Sequence, residues 1–398
     1  MWVSKTAERL AIKSWCDDVD SKTMQQAYNL AALPFAHHHI ALMPDAHLGY
    51  GMPIGGVLAA EGVIIPYAVG NDIGCRMTAC RTHVLESRWD KETWNRLVNR
   101  IKAEIPMGPN HRKIAVPDDA LPLLHFPAVN GGFITEGQWC NAKFQLGTLG
   151  GGNHFIEIQR DDDGYIWVMI HSGSRRIGME VCKFHHKVAQ NLNERWHTAV
   201  PKAWQLAFLP LDSKEGYQYF SEMNWCIDFA ERSHEMMMST ILGIMGEEFP
   251  DFEAEQSITV AHNFARMEHH FGKDVMVHRK GAAPAYEKQL GIIPGNQAGP
   301  SFIVEGLGNN ESFRSCSHGA GRPMSRTDAK NTLDLATEQA KMGGIIHDMN
   351  SRSDLDEAHG AYKDIEAVIA AQTDLIKVLH RLTPLAVMKG KTKGKRNG

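Results

Sequence analysis

The sequence contains no run approaching the ~18 uninterrupted apolar residues that a membrane-spanning helix requires, so membrane-span chemistry is not expected of it. Cysteine is sparse: seven occur in 398 residues at irregular spacings, which reads as reduced thiols rather than a disulfide framework. An excess of one charge is also missing. The formal net charge of -4 argues against a surface coated in positive charge and leaves room for a local basic groove. No internal repeat or low-complexity segment is found. Residues Met1 to Trp15 alternate charged and apolar groups without the apolar stretch of a secretion signal, so the expected location is cytoplasmic. What is present is 43% hydrophobic and 22% charged, the profile of a globular protein with a large core. The length allows two or three domains or one large α/β or α+β unit. Histidine is abundant at 21 residues, many of them beside glycine or asparagine.

The chain is organised around Val69-Gly-Asn-Asp-Ile-Gly-Cys75. Asp72 and Cys75 stand three apart in a turn framed by Gly70 and Gly74. Glycine permits positive φ and close backbone approach, so a carboxylate and a thiolate can meet at one point, and a thiolate can bridge two metal ions. The alternative is a plain glycine-rich turn with a buried thiol.

Further motifs weigh against that alternative. Pro44-Asp-Ala-His-Leu-Gly-Tyr-Gly-Met-Pro-Ile-Gly-Gly56 reads as a shaped loop bearing Asp45 and His47. The triple His37, His38 and His39 precedes an expected strand at Ile40–Met43, and surface or supporting roles suit it better than ligation. Gly62–Pro66 is expected as a buried strand leading into the Asp72/Cys75 turn. Leu146-Gly-Thr-Leu-Gly-Gly-Gly-Asn-His154 offers amides to an anion and ends in Asn153 and His154. Strand Tyr165–Ile170 delivers His171-Ser-Gly-Ser-Arg175. His262-Asn263 follows, then Arg279-Lys280-Gly281, read as a glycine-bounded turn whose cations suit phosphate. Ser317-His-Gly-Ala-Gly-Arg322 sets His318 among small residues. A neutral imidazole there is a plausible nucleophile toward phosphorus. Periodicity predicts helices over 89–105, 178–198, 216–246 and 361–380, with an irregular excursion over 106–142.

In this order the motifs Asp72-x-x-Cys75, Asn153-His154, His171–Arg175, His262-Asn263, Arg279–Gly281 and Ser317–Arg322 resemble those of the RtcB family of RNA ligases. Pro44-Asp-x-His-x-Gly49, Ala361-Tyr-Lys-Asp364 and Lys389-Gly390 extend the likeness over residues 30 to 390, nearly the whole chain. The resemblance implies an enzyme that joins RNA 3′-phosphate or 2′,3′-cyclic phosphate ends to 5′-hydroxyl ends with GTP and two Mn²⁺ ions. It implies Cys75 as the bridging ligand, Asp72 and His154 completing one metal site, and His171 and His262 the other. His318 resembles the histidine that takes GMP from GTP. Asn153, Phe155, Glu157, Ser301, Gly319, Ala320, Gly321, Tyr362 and Lys389 fall where the family contacts GTP. Asp45, Arg175, Arg279, Lys280, Arg322 and Arg326 are candidates for RNA or phosphate contact. Spacing alone would have suggested zinc for such a donor set.

The expected fold is α+β: a mixed β core carries the motif loops toward a dinuclear metal site, with helices around it. One ligase domain over 1–390, a basic tail over 391–398, and a monomer are expected, with an RNA partner and no membrane. The chain departs from the family pattern at Asn296, where serine is common, and at Arg176, where glycine is common. A dinuclear phosphodiesterase that opens cyclic phosphates without ligating is the alternative reading. It would need the metal ligands but not His318.

Overall fold

The computed structural model describes residues 1–4, 8–88, 90–123, 132–249 and 251–390. The basic tail therefore lies outside the described residues, as does part of the 106–142 excursion. The architecture is α+β, built on two large sheets. One has six strands in the order Trp2–Ser4, Ala11–Ser14, Ala36–His47, Ile54–Ala60, Lys273–Lys280, Asn263–His270. The other has seven, in the order Ile258–Ala261, Arg76–Leu85, Tyr165–Ser172, Phe155–Arg160, Ile376–Met388, Ser301–Gly306, Leu290–Ile293. Pairing in both is antiparallel except where Ala11–Ser14 meets Ala36–His47. His262 is the junction between sheets, following Ile258–Ala261 in one and preceding Asn263–His270 in the other.

Helices cover these sheets where the apolar period demands it. Lys91–Glu104 starts at Asp90, whose carboxylate accepts from the Thr93 amide at 2.7 Å, and buries Trp94, Leu97, Val98 and Ile101 on one face. Ser213 caps Lys214–Glu248 in the same way, accepting from the Gly216 amide at 3.0 Å. That helix and Arg175–Arg195 bury Val181, Cys182, Tyr219, Met223 and Phe229 against the back of the metal-bearing turn. All seven cysteines are free thiols and only Cys140 is exposed. Among the described residues no helix is long and apolar enough to cross a membrane.

Four expectations are corrected. The helix over 361–380 is instead a six-residue helix, Ile365–Ala370, followed by the strand Ile376–Met388. Its apolar spacing fits both periods, and pairing of Ile376–Met388 with Ser301–Gly306 on one side and Phe155–Arg160 on the other settles the second half as a strand. The histidine triple does not precede a strand but lies inside Ala36–His47, which also carries Asp45, so regular structure enters the supposed loop from both ends. Val63–Ile64 is only a two-residue strand before the short helix Pro66–Val69. Arg279 and Lys280 do not form a turn. They end the strand Lys273–Lys280, and both are buried.

Arg279 is therefore not an available phosphate contact. Its side chain, 0% exposed, donates from Nη1 to Glu268 Oε1 at 2.5 Å, from Nε to Ser315 Oγ at 2.8 Å and from Nη2 to the Phe313 carbonyl at 2.8 Å. Burial alone would raise the Glu268 carboxyl, but Arg279 opposite it and His270 beside it hold it down to about 2. Arg279→Met strands that carboxylate in the core and is expected to cost about 3–5 kcal/mol in chemical denaturation. The wild-type contribution is full above the ordinary Glu value of 4.5 and disappears as pH falls toward about 2. Denaturation midpoints of both proteins measured down to pH 3 check this. A midpoint unchanged by the substitution at pH 7 would refute it.

Candidate metal centre and nucleotide cavity

The donors meet because neighbouring strands end together. Cys75 precedes Arg76–Leu85, His171 lies near the end of Tyr165–Ser172, His154 precedes Phe155–Arg160 and His262 follows Ile258–Ala261. These four strands are consecutive in the seven-stranded sheet, and the pairings Arg76 with Ser172, Phe155 with His171 and Ala261 with Arg76 align their ends. Glycine clears the space. Gly74 has φ +73°, and a Cβ there would come within 2.9 Å of the Ile227 backbone. A Cβ on Gly150 would sit 1.8 Å from His154 Nδ1.

Two donor sets share Cys75: Cys75 with His171 and His262, and Cys75 with Asp72 and His154, the donor atoms of each set lying within 4.8 Å of one another. Sγ of Cys75 is 3.2 Å from His171 Nε2 and 3.6 Å from His154 Nε2, and His154 Nε2 is 2.8 Å from Asp72 Oδ2. His171 Nδ1 donates to the Asn153 carbonyl at 3.1 Å, which leaves the Nε2 lone pair facing the sulfur. Burial, reinforced by the neighbouring histidines, holds His171 and His262 well below the usual imidazole range, so both are neutral donors. Burial also pushes the Cys75 thiol well up, with Asp72 adding to the effect. A thiol in that state ionises when a cation replaces its proton. The chemistry of the donors thus fits a pair of divalent transition-metal ions.

The centre opens into a cavity of about 720 Å³, large enough for a nucleotide. His318 faces it beside the metal donors, its ring centroid 4.9 Å from that of His262. Asp45, fully buried, receives both the His318 amide at 3.1 Å and Nδ1–H at 2.6 Å through Oδ2. The other ring nitrogen is left as the reactive one. Farther along lie Asn153, Phe155, Glu157, Tyr362 and Lys389. Burial raises Glu157 to about 8, and it lowers Lys389 despite the pull of Glu357 and Glu157. Gly319, Ala320, Gly321, Arg322, Arg326 and Lys280 also line this cavity.

Some sequence candidates stand elsewhere. Ser301 lies beneath the wall, 1% exposed, its hydroxyl accepting from Gln159 Nε2 at 3.0 Å. Arg175 is tied by Nη2 to the Gly108 carbonyl at 2.8 Å and by Nε to Thr148 Oγ1 at 3.1 Å, close to Asp72 but off the cavity wall. Asn296 lines the cavity, caps its own turn and accepts from His359 Nδ1 at 2.7 Å. Arg176 points to solvent and pairs with Glu180 at 2.6 Å. Glu357 was missed by sequence reasoning. It accepts from Arg322 at 2.9 Å, from Arg326 at 3.0 Å and from the Tyr362 hydroxyl, and so fixes one whole side of the cavity. Its acidic stretch Asp354-Leu-Asp-Glu357 carries no spacing signal that would single it out.

Fold and site together define a protein with a cysteine-centred cluster of candidate metal donors lining a nucleotide-sized cavity. A family model described as tRNA-splicing ligase RtcB matches residues 26–123 and 132–390. The RNA-splicing ligase RtcB of Escherichia coli (strain K12) is 37% identical over 97% of this chain and 98% of its own length. The tRNA-splicing ligase RtcB of Thermococcus kodakarensis is 30% identical over 93% of this chain and 91% of its own. The RNA-splicing ligase RtcB of Mycobacterium tuberculosis is 29% identical over 92% of this chain and all of its own, at 100%. The chain belongs to the RtcB family.

Because one sulfur serves both donor sets, Cys75→Ala is expected to weaken divalent-metal binding at both, each by more than about 10-fold. Calorimetric titration of metal-stripped protein with Mn²⁺ reads this directly. Loss of a single site with the other unchanged would show that the sulfur is not shared.

Proposed function

We propose that the chain is a GTP- and Mn²⁺-dependent RNA ligase that joins 3′-phosphate or 2′,3′-cyclic phosphate ends to 5′-hydroxyl ends through a histidine–GMP intermediate on His318. The observation carrying this reading is the position of His318. Its ring is beside the donor His262, its Nδ1–H is held by buried Asp45, and it faces the cavity that holds Glu157 and Lys389.

Each residue has a task that follows from its surroundings. Asp45 fixes the tautomer and orientation of His318, so that Nε2 presents a lone pair to the α-phosphorus of GTP. Nε2 forms the nitrogen–phosphorus bond as the bond to the pyrophosphate oxygen breaks, and pyrophosphate departs. A 2′,3′-cyclic end is first opened by water, whose oxygen bonds to phosphorus as the bond to O2′ breaks and O2′ takes the proton, giving a 3′-phosphate. An oxygen of the RNA 3′-phosphate then attacks the GMP phosphorus and releases His318. The 5′-hydroxyl oxygen finally attacks the RNA phosphorus as its proton passes to solvent, expelling GMP and closing the phosphodiester. Glu157 offers an acceptor and Lys389 a donor, which the edge of guanine requires for its ring N–H groups and its carbonyl. Glu357 holds Arg322 and Arg326 where phosphate oxygens can meet them. Cys75 would contact both Mn²⁺ ions, with Asp72 and His154 on one and His171 and His262 on the other. Such ions neutralise phosphate charge and make a bound hydroxyl or water more acidic.

Incubation with GTP radiolabelled at its α-phosphate, in Mn²⁺, should leave acid-labile label on the wild type and none on His318→Ala. Asp45→Asn, which retains size but loses the anionic acceptor, should slow labelling by about 10²–10⁴-fold. Absence of label on a wild type that binds manganese would remove the ligase reading in favour of a cyclic-phosphate hydrolase.

A further inference from the structure

The cavity lining also takes in His47, Leu48, Tyr50, Ile54 and Tyr67, with Leu48 and Tyr50 exposed at its rim. None of these residues has a task in the chemistry above. Leu48 is 47% and Tyr50 63% exposed, two large side chains on either side of Gly49 that stand open to solvent beside a polar site. The backbone beneath them is fixed. Gln26 brackets Gly49, donating from Nε2 to its carbonyl at 2.6 Å and accepting from its amide at 3.1 Å. Lys280 Nζ, buried within the protein, donates to the carbonyls of Tyr50 at 2.5 Å and Met52 at 2.8 Å. The same ammonium reaches the Tyr67 carbonyl at 3.2 Å, tying the two tyrosine-bearing segments together. The Tyr67 ring is stacked on His186, with centroids 3.6 Å apart and planes at 8°. The Tyr50 ring stands 6.4 Å from that of Tyr67, tilted by 47°.

An exposed aromatic ring on an immobilised backbone is costly for a surface that meets only water and well suited to a flat ligand. Stacking on it loses little side-chain entropy, and every nucleobase presents a π-face. The rim is continuous with a cavity whose other residues include Arg322 and Arg326, which suit a phosphate backbone. We propose that Tyr50, backed by Tyr67, is the stacking platform for the unpaired terminal base of the RNA end that enters on the metal side. This rests on the ligase reading. It adds the requirement that the joining ends be single-stranded at the last nucleotide, and it makes Tyr50 a substrate-positioning residue that works regardless of base identity.

The probe is a short single-stranded RNA with a 5′-hydroxyl and 2-aminopurine as its first base, whose fluorescence falls on stacking. Wild type should quench it. Tyr50→Leu should bind it about 5- to 100-fold more weakly without quenching, and Tyr50→Phe should restore both binding and quenching. Sealing by Tyr50→Leu should show a raised KM for RNA, while its label uptake from GTP alone reports that the fold and the guanosine side are intact. Tyr50→Leu binding and sealing like wild type, or a Tyr50→Phe that behaves like Tyr50→Leu, would overturn the platform. Loss of label uptake in Tyr50→Leu would also overturn it, since the residue would then act through the fold. Failure of the ligase reading looks different, because the wild type itself would neither take label nor seal.

Discussion

The structure depends on one constraint: a cysteine sulfur, a carboxylate and three imidazoles must converge in one small buried volume. Consecutive strands of one sheet achieve this by ending at the same level, so that the residue just beyond each strand reaches the same small volume. Hydrogen-bonded register places those ends to within a fraction of a residue, a precision that flexible loops alone do not give. The cost is concentrated burial of ionisable groups, visible in the Cys75 thiol pushed well up and in imidazoles held well below their usual range. A divalent ion would relieve that cost, because it replaces a proton on sulfur and meets neutral lone pairs.

The same logic orders the cavity on either side. Toward Glu157 and Lys389 the wall is polar and its groups are cross-tied, with Glu357 as the hub for Arg322, Arg326 and Tyr362. Lys280 plays the corresponding part on the other side. Burial brings its ammonium down to about 7, and it has three backbone carbonyls rather than a carboxylate as partners. It therefore acts as a brace for the Tyr50 and Tyr67 segments, whose aromatic rings remain at the rim. His318 lines the same cavity, held by Asp45 beside His262.

The clustered donor residues were legible in the sequence because Asp72, Cys75, His154 and His262 each abut a glycine or asparagine and His171 stands two before Gly173, and those signals are local. Asp72, Cys75, His154, His171 and His262 all lie together in space. Failures arose where the decisive partner is far along the chain. Arg279 reads as an exposed phosphate ligand until Glu268, eleven residues earlier and on the adjacent strand, is seen to neutralise it. Ser301 falls beneath the cavity wall because its strand turns that side chain inward to Gln159. Glu357 escaped notice since its three partners lie 35, 31 and 5 residues away, with no repeat or spacing to mark them. The Ile365–Leu379 apolar pattern satisfies a helix and a strand alike, and only the pairing of Ile376–Met388 with two sheet neighbours decides it.

The departures at Asn296 and Arg176 involve none of the clustered donor residues. Asn296 replaces a small hydroxyl by an amide that closes its own turn onto the Ala298 and Gly299 amides and takes the His359 proton, so the change is absorbed by the wall. Arg176 begins a helix and spends its charge on Glu180 at the surface. Neither reaches Cys75, His318 or the buried Asp45.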